Sequence, residues 1–308
     1  MKVLVTGGAG FIGSHIVDHL IKNMHEVVIV DNLSTGKEEN INSSSVFYRV
    51  DITDYKSLEN VFNLEKPDYV MHHAAQINIQ NSILNPTFDA DTNITGTINL
   101  LRCCVKFDTK KIIYASSAAV YGNPIYLGVD EEHPVQPLSF YGISKHTPEH
   151  YIEAFSELNN LKYTILRYSN AYGIRQDPKG EGGVVSIFVD KLLNKEQPII
   201  FGDGLQTRDF VYVEDIALAN LAAIHSGNGE IVNISINRPT SLIELLKMMN
   251  EINGTNIKPI YTEVKQGDIK ESYLTNSKAR QLLSWEPIYS LHEGLRLTMD
   301  YYRKLCVA

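Results

Sequence analysis

The chain has 308 residues and a formal net charge of −8 at pH 7, with 36 acidic residues against 28 basic ones. Surfaces for nucleic acids or anionic membranes need clustered Lys and Arg, and no basic run occurs, so both partner classes are excluded. The first apolar stretch ends at Thr6, too early for a secretion signal, and no apolar run of about 18 residues follows. The sequence therefore predicts a soluble, cytoplasmic protein built as one large domain or two joined lobes.

The cysteines are three in number and lack the spacing of metal ligands. Cys103 and Cys104 are adjacent, and Cys306 lies far along the chain. We therefore expect thiols in a reducing compartment and no metal site.

A short β-branched segment at 2–6 is followed by a glycine-rich turn and an amphipathic segment at 14–23. This order predicts a strand, a turn and a helix. The turn satisfies both GxGxxG and GxxGxxG, through Gly7, Gly8, Gly10 and Gly13. Backbone amides at the start of such a helix bind a pyrophosphate, because no Cβ atom keeps the phosphate away.

A second predicted strand, 26–30, ends at Asp31, which lies 18 residues beyond Gly13. A carboxylate at this position accepts hydrogen bonds from the adenosine ribose of a dinucleotide. Asp31 would repel a 2′-phosphate, and no arginine immediately follows it. The pattern therefore favours NAD over NADP.

Strand-like and helix-like segments then alternate along the first half of the chain, at 46–50, 55–63, 68–73, 86–107 and 111–116. This βα series predicts an α/β fold of the Rossmann type, with a doubly wound parallel sheet. Ligands of such sheets lie beyond the carboxyl ends of the strands, where 51–52, 73–75 and 116–117 fall. Asp51 and Ile52 are candidates for the adenine edge.

Three polar residues in this half have competing interpretations. His72 and His73 could transfer protons, but at a strand end beside small residues we expect structural roles for them. Asn93 is an unfavourable residue inside a predicted helix. Either solvent reaches its side chain, or its amide fixes the chain near the cofactor.

Ser139 opens a helix that carries Tyr141 and Lys145. Residues four apart share one face of a helix, so a phenol and an ammonium would point into the same cleft. A positive charge close to a tyrosine favours its phenolate, which makes the pair suitable for proton transfer. Ser117, at the end of the preceding strand, could share a hydrogen bond with Tyr141 and a substrate oxygen.

The alternation becomes irregular after a strand at 161–168. Phe201 could stack on a planar base and Arg208 could hold phosphates. We predict an NAD-binding domain at 1–170 plus about 208–228. A smaller C-terminal α/β lobe for substrate is predicted at about 171–207 and 229–308.

Together these features resemble the extended short-chain dehydrogenase/reductase family, and within it the UDP-sugar 4-epimerases. The resemblance covers nearly the whole chain. It rests on the segments 6–13, 31–36, 51–54, 116–122, 167–170 and 208–215, and on Tyr141 with Lys145.

The resemblance implies a tightly held NAD and a UDP-sugar substrate that is inverted at C4 through a 4-keto sugar. Tyr141, Lys145 and Ser117 would be catalytic. NAD would lie against Gly7, Gly10, Phe11, Ile12, Gly13, Asp31, Asn32, Ser34, Gly36, Asp51, Ile52, Ala74, Ala75, Asn93, Ser116, Tyr141, Lys145 and Tyr168. The substrate would contact Ser117, Tyr141, Asn170, Val184, Phe201, Arg208, Lys265, Asp268 and Ser272.

Related reactions use the same machinery. Sugar 4,6-dehydratases of the family carry an Asp-Glu pair after the catalytic hydroxyl, where this chain has Ala118 and Ala119. A decarboxylase of UDP-glucuronate would need a glutamate near that point and an arginine for the carboxylate. A silent NAD-binding protein is the third alternative, although Tyr141, Lys145 and Ser117 are all present.

Relatives that accept only glucose and galactose have a tyrosine at the position of Ser272, so a small residue there predicts that N-acetylated sugars also fit. Lys265 departs from the family's usual arginine and would grip a diphosphate less firmly. The family commonly forms homodimers, which implies helices at 86–107 and 141–159 as the interface. Pro148 departs as well, and we expect the catalytic helix to kink or loosen there.

Overall fold

A computed structural model of the chain describes residues 1–178, 182–264 and 269–307. The first half contains strands β1 (Lys2–Thr6), β2 (Glu26–Asp31), β3 (Val46–Arg49), β4 (Tyr69–His72), β5 (Lys111–Ser117) and β6 (Lys162–Tyr168). Its helices are α1 (Phe11–Lys22), α2 (Tyr55–Glu65), α3 (Ile79–Leu84), α4 (Pro86–Ala90), α5 (Gly96–Lys106) and α6 (Phe140–Asn159).

The second half has shorter strands. They are β7 (Asn170–Tyr172), β8 (Ile199–Phe201), β9 (Thr207–Arg208), β10 (Phe210–Tyr212), β11 (Glu230–Ile234), β12 (Thr240–Ser241) and β13 (Ile260–Thr262). The helices are α7 (Val184–Leu193), α8 (Val213–His225), α9 (Leu242–Asn253), α10 (Ser277–Leu283) and α11 (Leu291–Val307).

Seven parallel strands form the central sheet, in the order β11-β6-β5-β4-β1-β2-β3. The predicted Rossmann-type sheet is therefore confirmed. Chain order reverses between β1 and β4, which is the switch point where doubly wound sheets bind their ligands.

Helices cover both faces of the sheet because its side chains alternate in direction along each strand. Val3 and Val5 of β1 pack with Ile16 of α1, whereas Leu4 packs in a second core with Leu58 of α2 and Ile152 of α6. All of these side chains are fully buried. Both faces of the central strands are therefore shielded from water. This explains why their sequences are continuously apolar.

A third apolar core lies away from the central sheet. Phe188 of α7, Leu245 and Met249 of α9 and Leu295 of α11 are buried in it. Most of this core comes from residues that the sequence analysis assigned to the smaller lobe, but β11 does not follow that assignment. Residues 230–234 were assigned to the lobe and instead form the edge strand of the large sheet, paired with β6. The remainder of the two-lobe division stays a prediction.

The predicted helix at 86–107 is interrupted by a π-helical turn at Asp91–Thr95. Helix α6 begins where Ser139 caps it, with the Ser139 Oγ accepting from the Gly142 amide at 3.0 Å. It continues through Pro148 to Asn159 as one element. Among the helices in the described ranges, none is long and apolar enough to cross a bilayer.

Candidate active site

Glycine is sterically required at two positions of the turn between β1 and α1. Gly7 has φ +68°, and a Cβ there would lie 2.6 Å from the backbone nitrogen of Ala74. A Cβ on Gly13 would overlap the Gly7 carbonyl oxygen. The turn is thereby packed directly against the segment that follows β4, across the switch point.

Helix α1 begins at Phe11, after Gly10, and within the described residues no side chain caps this end. The first amides of a helix lack intrahelical acceptors and carry a partial positive charge. Gly10 and Gly13 leave no side chain above them. This end of α1 therefore fits the pyrophosphate of a dinucleotide.

Asp31 is buried at the carboxyl end of β2, where its carboxylate accepts from the Ala9 amide at 3.0 Å and the Leu33 amide at 2.9 Å. Burial raises the pKa of this carboxyl, and the two amide bonds oppose that rise. A Cβ on Gly36 would lie 2.8 Å from the same carboxylate. Asp31 thus shapes the glycine turn and keeps oxygen lone pairs for a ribose.

The polar residues that follow β2 and β3 are joined by hydrogen bonds. Asn32 donates to Asp51 at 2.7 Å and accepts from the Ser34 amide at 2.9 Å. Ile52 is buried, and a Cβ on Gly96 would lie 2.6 Å from its side chain. The segments after β2 and β3 are therefore held side by side, as a site for the adenosine half requires.

Both histidines at the end of β4, His72 in the strand and His73 directly after it, are hydrogen bonded. His72 is buried between the hydroxyls of Thr6 at 2.7 Å and Thr97 at 2.8 Å. His73 contacts the Tyr168 hydroxyl at 3.0 Å, and its Nδ1 is buried without a partner among the described residues. Burial lowers the pKa of His73 to about 3, helped by the charge of Lys145, so this ring stays neutral.

Asn93 is buried, which excludes the solvated alternative. Its amide nitrogen donates to the Gln76 carbonyl at 2.9 Å and the Ser144 hydroxyl at 2.8 Å, and its oxygen accepts from the Gln76 amide at 2.8 Å. The π-helical turn thereby ties the segment after β4 to helix α6. π-helical turns of this kind frequently occur at functional sites.

The start of α6 lies against the turn that follows β5. A Cβ on Gly142 would be 2.8 Å from the Ala119 carbonyl oxygen, and the Ser117 Oγ accepts from the Ala119 amide at 3.2 Å. Tyr141 is half-buried in the first turn of the helix. The fold therefore brings the helix start that carries Tyr141 to the strand end that carries Ser117.

Lys145 lies one turn further along α6 and is 4% exposed. Its Nζ is 4.6 Å from the centroid of the Tyr114 ring. Burial lowers the pKa of Lys145 to about 7, against the attraction of Glu149 and Asp89. The charge of this ammonium is therefore sensitive to the groups around it.

Glu149 is a residue that the sequence analysis missed. Its carboxylate accepts from Arg167 Nε at 3.0 Å, Arg167 Nη2 at 2.6 Å and Ser116 Oγ at 2.5 Å. Ser116, a predicted cofactor contact, donates its hydroxyl to Glu149. The four-residue spacing from Lys145 on the same helix was the signal that could have identified Glu149.

Several predicted substrate residues lie on short strands of three separate two-stranded sheets. Arg208 follows Thr207, whose carbonyl accepts from the Ser272 amide at 3.2 Å. Asn170 is exposed and pairs with Phe210 in the parallel β7–β10 register. Phe201 ends β8, and its carbonyl accepts from Gln206 at 2.7 Å.

Val184 is half-buried at the start of α7. Lys265 and Asp268 lie outside the described residues. In the parts of the chain that the structure describes, no cluster of His, Cys, Asp and Glu could hold a metal ion.

A family model for NAD-dependent epimerases and dehydratases matches residues 3–235. A Methanocaldococcus jannaschii protein, provisionally named UDP-glucose 4-epimerase, is 51% identical over 302 residues, which cover 98% of each chain.

Two solved structures are similar over nearly their whole length. The UDP-glucose 4-epimerase of Thermotoga maritima with UDP-glucose is 46% identical, with a TM-score of 0.98, over 99% of this chain and 100% of that one. The Thermus thermophilus enzyme with NAD is 38% identical, with a TM-score of 0.93, over 98% and 99%. The match extends through the glycine turn, the switch point and the start of α6, and the chain belongs to the NAD-dependent epimerase/dehydratase family.

Proposed function

We propose that this chain inverts C4 of UDP-hexoses, interconverting UDP-glucose with UDP-galactose and also UDP-N-acetylglucosamine with UDP-N-acetylgalactosamine. One observation carries the proposal: the close approach of Gly142 to Ala119 places the Tyr141 end of α6 at the Ser117 end of β5. The similarity to a structure that holds UDP-glucose supports the substrate class.

The glycine turn, Asp31 and the first amides of α1 would hold NAD, which supplies a hydride acceptor and donor when bound. Tyr141 removes the proton from the sugar 4-hydroxyl and later returns it. Ser117 donates a hydrogen bond to the 4-oxygen. The sugar passes through a 4-keto form, turns its other face to the site and is reduced there, so no net oxidation occurs.

Lys145 serves this proton transfer through its charge. An ammonium near a phenol favours the phenolate, so Tyr141 can act as a base near neutral pH. Burial of Lys145 strengthens this attraction because less water screens it.

Phe201 and Arg208 would bind the uracil and the diphosphate, with Asn170 and Val184 beside them. Arginine suits this task because its planar fork donates two parallel hydrogen bonds to phosphate oxygens. Lys265 and Asp268 stay part of the proposal as further contacts to the nucleotide.

The deciding experiment incubates the protein separately with UDP-glucose, UDP-N-acetylglucosamine and UDP-glucuronate and separates the products by chromatography. We expect C4 epimers of the first two. Loss of CO₂ from the third would identify a decarboxylase. Retention of NAD with no conversion of any sugar would identify a silent binding protein.

Ser272 sets the substrate range in this proposal. Its half-buried side chain stands on the segment that pairs with Thr207, next to Arg208. We expect Ser272→Tyr to lower activity on the N-acetylated sugar at least 10-fold relative to UDP-glucose, because about 1–3 kcal/mol of pocket discrimination depends on volume. Ser272→Ala is the matched control and keeps the ratio. If Ser272→Tyr left the ratio of the two activities unchanged, Ser272 would not control the substrate range.

We propose a homodimer through helices α4, α5 and α6. On α6, Phe140 is 48% exposed and Ile143 46%, and Phe88 of α4 is 46% exposed. Apolar side chains repeated along one helix face mark an interface rather than a solvated surface. Sedimentation at micromolar concentration should give the mass of two chains, and a single-chain mass would refute the dimer.

A cytoplasmic location is the corresponding proposal for the cell. Cys103 and Cys104 are buried free thiols, and burial raises the pKa of Cys103 to about 12. Unpaired thiols of this kind are typical of proteins in reducing compartments.

A further inference from the structure

One face of helix α6 carries three ionisable side chains at successive four-residue intervals: Tyr141, Lys145 and Glu149. Residues at this spacing lie above one another on a helix. The first two belong to the proposed proton transfer. Glu149 is 1% exposed and has no part in that reaction as described so far.

The Glu149 carboxylate is held by donors from two strands. Arg167 of β6 reaches both of its oxygens, at 3.0 and 2.6 Å, and Ser116 of β5 donates at 2.5 Å. His146 approaches to 3.9 Å. A two-pronged bond from arginine fixes the orientation of a carboxylate as well as its charge.

Arg167 is itself anchored. Its guanidinium carbon lies 4.8 Å from the centroid of the Tyr121 ring, and the Tyr121 hydroxyl donates to Asn233 at 2.7 Å. Tyr121 follows the short helical turn after Ser117. The carboxylate therefore occupies a fixed point relative to the catalytic end of β5.

Lys145 is a buried cation with few compensating charges. Burial disfavours its charged form, and Glu149 is the larger of the two carboxylate attractions, the other being Asp89. Asp89 is already bound by Gln76 at 2.6 Å. The titratable groups that face Lys145 are the carboxylates Glu149 and Asp89, the imidazoles His72 and His73, and the phenol Tyr114. The guanidinium of Arg167 lies beyond Glu149 and opposes part of its attraction.

We propose that Glu149 is a positioning residue that holds Lys145 in its ammonium form, and that Arg167 and Ser116 fix its carboxylate for this purpose. The inference rests on the proposed role of Lys145 beside Tyr141. Within the described residues, Glu149 and Lys145 form no ion pair, so the effect acts through space. An uncharged Lys145 would leave Tyr141 without the cation that favours its phenolate.

The test measures the charge of Lys145 directly. Lysine labelled with ¹³C at Cε is followed by NMR against pH, and the Lys145 resonance is assigned by its loss in Lys145→Arg. In Glu149→Gln we expect the Lys145 titration midpoint to fall by about one pH unit, since the loss of an opposite charge shifts a pKa by about that much. The pKa falls, so the alkaline loss of kcat moves to lower pH by the same amount.

Two single variants separate charge from shape. Glu149→Asp keeps the carboxylate and should restore most of the midpoint. Glu153→Gln removes the next glutamate of α6, which is near His150 at 3.8 Å, and should leave the midpoint and the kcat profile unchanged.

Glu149→Gln leaves Arg167 buried without its partner and could fail to fold. The double variant Glu149→Gln/Arg167→Met removes the carboxylate together with its cationic partner, so the midpoint should still fall, but by less than in Glu149→Gln. An unchanged midpoint in whichever variant folds would overturn the inference, as would a drop in kcat with an unshifted pH profile. Absence of sugar conversion by the unmodified protein would refute the proposed function, while the titration would still decide the role of Glu149.

Discussion

The glycine turn before α1 and the charged face of α6 both border the switch point, but they are specified in different ways. At Gly7 and Gly13, steric space decides which residue is tolerated, because a single added carbon meets backbone atoms. Around Lys145 and Glu149, electrostatics decide which residues are tolerated, because both side chains are buried and the charge of each depends on its neighbours. Substitutions in the glycine turn should therefore impair cofactor binding, and substitutions on the charged face of α6 should impair proton transfer.

Tyr141→Phe should have the largest effect. It should abolish proton transfer at the charged face of α6 and leave cofactor binding at the glycine turn intact. It removes the proton-transfer group and nearly preserves volume, so we expect kcat to fall about 10³-fold, within the range for loss of a general base. Steady-state rates with UDP-glucose measure the loss. NAD content of the purified variant should equal that of the unmodified protein. A kcat within about threefold of normal would remove Tyr141 from the mechanism.

Gly13→Ala should disrupt the glycine turn before α1 and the cofactor site that it forms. The new methyl would overlap the Gly7 carbonyl oxygen, and overpacking of this kind costs about 3 kcal/mol where neighbours are backbone. We expect a weaker affinity for NAD and a lower unfolding midpoint, measured by calorimetric titration and thermal denaturation.

Gly229→Ala is the matched control for that experiment. Gly229 has φ +75°, and a Cβ there would meet nothing within 4 Å. Its cost is therefore the left-handed backbone alone, about 1 kcal/mol, with NAD affinity unchanged. Equal losses of NAD affinity in the two variants would contradict a steric role for Gly13.

Pro148→Ala should have the smallest effect and tests whether the proline in α6 influences the catalytic residues on that helix. Proline has no amide for the Ser144 carbonyl, and alanine would supply one. We expect unfolding free energy to rise by about 1 kcal/mol, less than the full penalty of an interior proline because the buried ring packing is lost. Chemical denaturation measures it, and kcat should not change. A changed kcat at unchanged stability would mean that Pro148 sets the position of Tyr141 and Lys145.

Much of the cofactor-binding region around the glycine turn could be predicted from the sequence, because the patterns that specify it span only a few residues. The glycine spacing, Asp31 at a strand end and the βα alternation each depend on residues close together in the chain. The parallel sheet and the strand–turn–helix start were correctly predicted on this basis. Asn93 was left open because burial, which the local pattern does not reveal, decides between solvation and a hydrogen-bonding role.

The charged face of α6 was predicted only in part. Tyr141 and Lys145 lie on one helix, so their spacing suggested a pair. The partners of Glu149 lie on β5 and β6, and no periodicity links Ser116 or Arg167 to that position. The assignment of 230–234 to the smaller lobe was wrong for the same reason, since pairing with β6 joins segments distant in the chain.

The type of fold and the glycine turn follow from the sequence, which also marked Tyr141 and Lys145 as candidates. Periodicity and the steric freedom of glycine act over a few residues and can be read without a structure. Which buried charges meet depends on contacts between segments that are distant in the chain. Strand pairing brought Arg167 and Ser116 to Glu149, and burial made the charge of Lys145 depend on its neighbours.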